Sequence, residues 1–189
     1  MATDQISVTL SVIEAFDKLG VLYLIGGSLA STVHGVVRTT LDTDLVAQLQ
    51  PEHTQPLVKM LQNEFYIDTD AVSNAISRQS SFNLIHLETM FKVDVFVFRQ
   101  RLFDQSQFAR RITQVIATNP EQTAYIASAE DTILTKLEWY RMGGEVSERQ
   151  WRDVLGIIKV QENRLDLDYL QKWAIELNVA DLLQRALEV

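Results

Sequence analysis

The stretch Val21-Leu22-Tyr23-Leu24-Ile25-Gly26-Gly27-Ser28 decides how this chain folds. The apolar run from Val21 to Ile25 reads as a short buried strand. Two glycines follow, which permit a tight turn and close backbone approach. Ser28 to about His34 then reads as a short helix that starts at the turn. Backbone N–H groups at such a helix start attract phosphate, and Ser28 adds a hydroxyl donor. Taken alone, Gly26, Gly27 and Ser28 also suit an ordinary glycine turn, so their neighbours in sequence have to decide.

Working outward, His34-Gly35 and Arg38 lead to Asp42-Thr43-Asp44, at the head of a second strand-like run from Thr43 to Leu49. Residues i and i+2 of a strand share a face, so Asp42 and Asp44 stand side by side and repel unless a cation lies between them. Mg²⁺ suits such a pair, because it is held by one or two carboxylates together with substrate phosphates. A solvated surface pair is the other reading. Asp94 adds weight to the first. It lies in Lys92-Val93-Asp94-Val95-Phe96-Val97, where Val93, Val95 and Val97 share one face and Asp94 shares the other with Phe96 and Phe98. A carboxylate among aromatics is costly unless it is paired or metal-bound, although an edge strand with a wet outer face would also carry it. The runs Phe82 to Leu87 and Phe91 to Phe98, separated by Glu88-Thr89-Met90, predict an antiparallel hairpin.

Further along, the period becomes helical after about residue 126. Ser128 with Asp131, and Ser147 with Gln150, predict capped helix starts. Gly143-Gly144 ends the first of these helices, and Trp151, Val154, Leu155 and Ile158 form the stripe of the second. A third helix is expected from about Leu167 to Leu177, and a short fourth reaches the C-terminus. Upstream, Val12, Ile13, Phe16 and Leu19 mark a helix from about Val8 to Leu19, stopped at Gly20, and Pro51-Glu52 opens another. The expected plan is an α/β (α+β) core over 1–125 and a C-terminal helical subdomain over 126–189 packed on it. Lys136 and Asp153 lie just off the stripes of the first two tail helices. They are either solvated charges or groups that approach a nucleotide, with Lys136 as a phosphate ligand. His34 reads as a structural hydrogen-bonder.

Composition narrows the class of partner. The 189 residues carry a net charge of −8. Residues 1–125 hold 9 basic and 13 acidic side chains and residues 126–189 hold 8 and 12, so neither part is basic. A protein built to bind long nucleic acid shows a basic footprint. Here only Arg99, Arg101, Arg110 and Arg111 form a local cluster. The chain has no cysteine, which excludes disulfides and thiolate chemistry. With no secretory start and no long apolar run, it reads as cytoplasmic, without a membrane partner.

The whole pattern is more specific than its parts. A strand, Gly-Gly-Ser, a helix, an Asp-x-Asp strand and a later strand aspartate resemble the polymerase-beta-like nucleotidyltransferase superfamily. More narrowly, Gly26-Gly27-Ser28 through His34-Gly35, Arg38, Thr40 and Asp42-Thr43-Asp44-Leu45 looks like the bacterial AbiEii/MenA-type group. Lys136 in Thr132-Ile133-Leu134-Thr135-Lys136-Leu137 and Asp153 in Trp151-Arg152-Asp153-Val154 match that group's later positions.

The resemblance implies a mixed nucleotidyltransferase sheet flanked by helices and a transfer of NMP from an NTP to a hydroxyl acceptor, which is RNA, protein or a small molecule. Asp42, Asp44 and Asp94 would hold two Mg²⁺ ions about 3.5–4 Å apart, and Asp94 would assist removal of the acceptor proton. Gly26, Gly27, Ser28, Arg38, Lys136 and Asp153 would bind the nucleotide, with Gly27 and Ser28 at the β- and γ-phosphates. It also brings in toxins of toxin–antitoxin pairs, and with them a cognate antitoxin as partner. The runner-up is a nucleotidyltransferase-like protein that binds nucleotide or a partner without turnover. A plain interaction protein would leave Asp94 and the glycine turn unexplained.

Overall fold

A computed structural model describes residues 2–37 and 42–188. Its helices are α1 (Ala2–Leu19), α2 (Gly27–His34), α3 (Thr54–Leu61), α4 (Thr69–Arg78), α5 (Leu102–Arg110), α6 (Ala129–Met142), α7 (Glu148–Gln161), α8 (Leu167–Glu176) and α9 (Ala180–Leu187). Its strands are β1 (Tyr23–Ile25), β2 (Asp42–Ala47), β3 (Phe65–Tyr66), β4 (Ser81–His86), β5 (Lys92–Val97), β6 (Ile112–Thr118) and β7 (Glu121–Ile126). One 7-stranded mixed sheet has the order β3-β4-β5-β2-β1-β7-β6. The expected α/β class with a mixed sheet and flanking helices is therefore what the chain adopts. None of the described helices is long and apolar enough to cross a membrane.

The chain divides into two compact units, Met1–Ser28 with Thr39–Ile126, and Leu29–Arg38 with Ala127–Val189. The sequence boundary was expected at 125/126, with no part of 29–38 joining the helical tail. In the first unit, α1 starts earlier than its apolar stripe suggests and ends at Gly20, whose φ of +67° closes a left-handed cap. Val21 N–H donates to the Phe16 carbonyl (2.9 Å) and Gly20 N–H to that of Asp17 (3.1 Å), which satisfies two carbonyls the helix leaves open. α1, α3 and α4 pack on one another and α4 on β4, and they bury Val12, Phe16, Leu57, Leu61, Val72 and Ala75. Against them the sheet presents Thr43, Leu45, Val93, Val95 and Leu84, all fully buried.

β4 and β5 form the expected antiparallel hairpin. β2 runs parallel to β5, which the spacing alone did not show. Also unforeseen are α4, α5 and the β6–β7 hairpin. Their apolar positions are sparse: the β6 residues Ile112, Thr113, Gln114 and Val115 are all exposed, so no period marks the strand.

In the second unit, both expected caps are present. Ser128 Oγ accepts from Asp131 N–H (3.1 Å) and donates to Asp131 Oδ2 (2.8 Å). Ser147 Oγ accepts from Gln150 N–H (3.4 Å). Asp131 is wholly buried, and its other oxygen accepts from the Tyr169 hydroxyl at 2.6 Å. His34 is the structural hydrogen-bonder anticipated, at the end of α2. Its Nε2–H donates to the Ala127 carbonyl at 2.7 Å, and Gln161 Nε2 donates to the carbonyl of His34 at 2.6 Å.

Burial holds the His34 pKa below the ordinary 6.5. The folded chain therefore resists a proton that the unfolded chain accepts, and His34 removes stability as pH falls below the unfolded value. Chemical denaturation at about pH 7.5 and about pH 5.5 should show a loss for the native chain that is smaller in His34→Gln, by up to about 1.4 kcal/mol per pH unit crossed.

Candidate active site

The sheet has two chemically distinct faces because side chains alternate along each strand. On β2, Thr43, Leu45 and Ala47 are buried, while Asp42, Asp44 and Val46 face the other way, half-buried. Thr43 is fixed by α1. Its hydroxyl lies 3.0 Å from that of Thr9, and Thr9 donates to the Gln5 carbonyl at 2.9 Å. The Thr9 hydrogen is thereby committed, so Thr43 is the donor between the two hydroxyls.

The parallel pairing carries the second face across the sheet. Asp44 lies directly opposite Asp94, and Asp42 opposite Lys92. On the far side of β5, Asn83 of β4 pairs with Asp94. Asn83, Asp94 and Asp44 thus form one rung of polar side chains over three strands.

The glycine turn closes on the same rung. Gly26 N–H donates to the Asp44 carbonyl at 2.9 Å. Gly27 has a φ of +53°, and a Cβ built there would overlap Asp44 Oδ2. Only glycine meets both demands, the left-handed backbone and the space taken by the carboxylate. Ser28 follows, almost fully buried, in the first turn of α2. Asp44 therefore lies at the positive end of a helix, which favours its charge.

Lys92 is the residue that sequence reasoning missed, although it shares the Asp94 face by the same i, i+2 rule. Its Nζ lies 2.6 Å from Asp94 Oδ2, with the two side chains 42% and 20% exposed. The hydrogen bond to Asp94 raises the Lys92 pKa above its ordinary value, against some desolvation, and the charges of Asp94, Asp42 and Asp44 add to the rise.

The carboxylates were expected to converge within reach of a shared ion. Backbone register brings the three aspartates onto adjoining rungs, but among the described residues no three His, Cys, Asp or Glu side chains are gathered to hold one. Two of the three are turned elsewhere: Asp94 points to Lys92, and Asp44 to the Gly27 turn. The donor chemistry does fit Mg²⁺, which takes hard oxygen ligands, and the Lys92 ammonium already stands in the carboxylate field as a cation.

Lys136 and Asp153 come together in the helical unit. Lys136 Nζ donates to Asp153 Oδ2 at 2.8 Å, with the side chains only 10% and 9% exposed. Arg38 lies outside the described residues. Three of the four clustered arginines, Arg99, Arg101 and Arg111, have contacts within the chain. Arg101 grips Asp104 with two bonds of 2.9 Å, Arg99 donates to the Gln79 carbonyl at 3.2 Å, and Arg111 lies 4.7 Å from the centre of the Tyr125 ring.

No family model matches the sequence, and no curated protein does. Solved structures with nucleotidyltransferase folds do match the architecture. A nucleotidyltransferase-like antigenic protein from Paracoccidioides brasiliensis superposes with a TM-score of 0.55, at 20% identity, over 98% of this chain and 93% of its own. The antibiotic-resistance factor ANT(2'')-Ia superposes in its solution structure with a TM-score of 0.61, at 15% identity, over 98% of both chains. Its crystal structure with adenylyl-2''-tobramycin gives 0.60, at 14% identity, over 93% of this chain and 97% of that one. At these identities the likeness establishes the fold.

Gly27→Ala should destabilise the protein by about 2 kcal/mol or more, because the added methyl group meets both the left-handed backbone penalty and the Asp44 carboxylate. Urea unfolding measures it. Lys136→Met should cost about 3–5 kcal/mol by leaving the buried Asp153 carboxylate without its ammonium, and Lys136→Met combined with Asp153→Leu should recover most of that loss.

Proposed function

We propose that the protein is a Mg²⁺-dependent nucleotidyltransferase that moves an NMP from an NTP to a hydroxyl of a small polar molecule. One observation carries this reading. Asp44 stands opposite Asp94 on adjacent parallel strands, with Asp42 on the same face, and the Gly27 turn closes against Asp44. A phosphate-binding turn and three carboxylates thereby occupy one end of one sheet face.

In the reaction the acceptor oxygen attacks the α-phosphorus, a new P–O bond forms, and the bond to pyrophosphate breaks. Asp42, Asp44 and Asp94 would hold the ions, which when bound neutralise the triphosphate and acidify the acceptor hydroxyl. Asp94 takes up the acceptor proton at a carboxylate oxygen. The Gly27 turn and Ser28 orient the β- and γ-phosphates, and the α2 start adds the attraction of its N–H groups. Catalysis is then mostly positioning and charge stabilisation. Lys136 and Asp153 enter this reading only through the sequence resemblance.

The acceptor class follows from charge. At −8 overall, and with Arg99, Arg101 and Arg111 tied to neighbouring groups, the chain favours a small acceptor over a long RNA. A small acceptor is also supported by ANT(2'')-Ia, whose crystal structure is a complex with adenylyl-2''-tobramycin. The toxin reading rests on the sequence resemblance alone, through the Gly26 to Leu45 motif and the later Lys136 and Asp153. A protein that binds nucleotide without turnover is favoured by one feature, the hold of Lys92 on Asp94.

Incubation with α-labelled NTPs, Mg²⁺ and a panel of polyhydroxylated amines, nucleosides and tRNA should label a small acceptor and release pyrophosphate. Asp42→Ala with Asp44→Ala should lower the rate at least about 100-fold. Nucleotide binding without pyrophosphate release would favour the non-catalytic reading, and labelled tRNA would reverse the acceptor assignment.

A further inference from the structure

We infer that Lys92 is the resident counter-cation of the carboxylate face, and that a divalent ion loads by displacing its ammonium from Asp94. The inference rests on the reading of Asp42, Asp44 and Asp94 as metal ligands. Register places four charged groups at the corners of two adjacent rungs, Asp42 opposite Lys92 and Asp44 opposite Asp94. Neighbouring strands lie about 4.8 Å apart and alternate residues about 7 Å apart. The four-carbon stem of Lys92 therefore reaches any of the three carboxylates. In this structure its charge is spent on Asp94.

The ion pair is built to give way. With Lys92 42% and Asp94 20% exposed, such a pair contributes little, because water screens it and ordering two side chains offsets the attraction. A lysine is also a flexible point charge that can swing off its partner into water, as the rigid fork of an arginine does less readily. The contrast within the molecule is sharp. Lys136 and Asp153 are both about nine-tenths buried, and separating them strands charge in the interior. Lys92 and Asp94 separate at little cost, and Asp94 is then released to join Asp42 and Asp44. The ammonium offsets the Asp94 charge before loading and leaves with the arrival of the stronger cation.

The test uses the full chain and Mn²⁺ alone, without nucleotide, with free Mn²⁺ read by electron paramagnetic resonance. Lys92→Met should bind Mn²⁺ about tenfold more tightly than the native chain, equivalent to about 1.4 kcal/mol. Lys92→Arg should bind no more tightly than native, and Asp42→Asn with Asp44→Asn should abolish binding in either background. Equal or weaker binding by Lys92→Met, with binding still dependent on Asp42 and Asp44, overturns the counter-cation role and leaves the metal site standing. Binding by neither protein, or binding indifferent to Asp42 and Asp44, overturns the metal site and the inference with it. A second measurement needs no Lys92 variant. Acetylation of Lys92 in the native chain, followed by peptide mass spectrometry, should accelerate several-fold on adding Mn²⁺, and an unchanged rate overturns the displacement.

Discussion

Everything at the candidate site depends on which way β2 faces, and a buried hydroxyl pair sets that. Thr43 sits between two aspartates and donates to Thr9 beneath the sheet. Because successive side chains point to opposite faces, burying Thr43 sends Asp42 and Asp44 together to the other side. A slip of one residue would press both carboxylates into the layer of α1, α3 and α4, where each would cost several kcal/mol, of order the desolvation of a buried ion. Register is strongly specified wherever such a swap is so unfavourable. From β2 the parallel pairing passes the same orientation to β5, and Asp94 falls into line.

The face so assembled holds like charges that the rest of the structure moderates in three ways. The aspartates are half-buried and keep contact with water. Asp44 is at the N-terminal end of α2, where the helix presents partial positive charge. Lys92 supplies a full charge at Asp94. These three supports differ in kind. Solvent and helix dipole are permanent features of the fold, whereas the ammonium is mobile on its stem.

Much of this was readable before any coordinates. The Gly26-Gly27-Ser28 turn, both tail-helix caps and the hairpin around Glu88-Thr89-Met90 follow from local chemistry, and local chemistry acts in every context. The aspartates could be placed on a common face by the i, i+2 rule alone. What sequence could not supply was the pairing of β2 with β5, since parallel partnership is a tertiary choice with no local signature. Lys92 was within reach of the same i, i+2 rule that paired Asp42 with Asp44, since its partner Asp94 is two positions away; only its place opposite Asp42 needed the tertiary pairing. α4 and the β6–β7 hairpin escaped for another reason, because their exposed faces dilute the apolar period. The arginines between 99 and 111 looked like a surface patch, yet the charge of Arg101 is answered by Asp104 within one turn of α5.

The parallel union of β2 and β5 has a consequence for how such chains can diverge. The relation between Asp44 and Asp94 is fixed in space by hydrogen bonding between strands, while the segment joining them wraps through α3, β3, α4 and β4. Insertions or deletions in its loops would leave the rung intact, provided the β4–β5 hairpin keeps its count. The face is thus written in this chain as a set of short words, Gly-Gly-Ser, Asp-Thr-Asp and a lone strand aspartate, separated by elastic gaps. The architecture itself is shared with chains that have only 14–20% of their residues in common with this one.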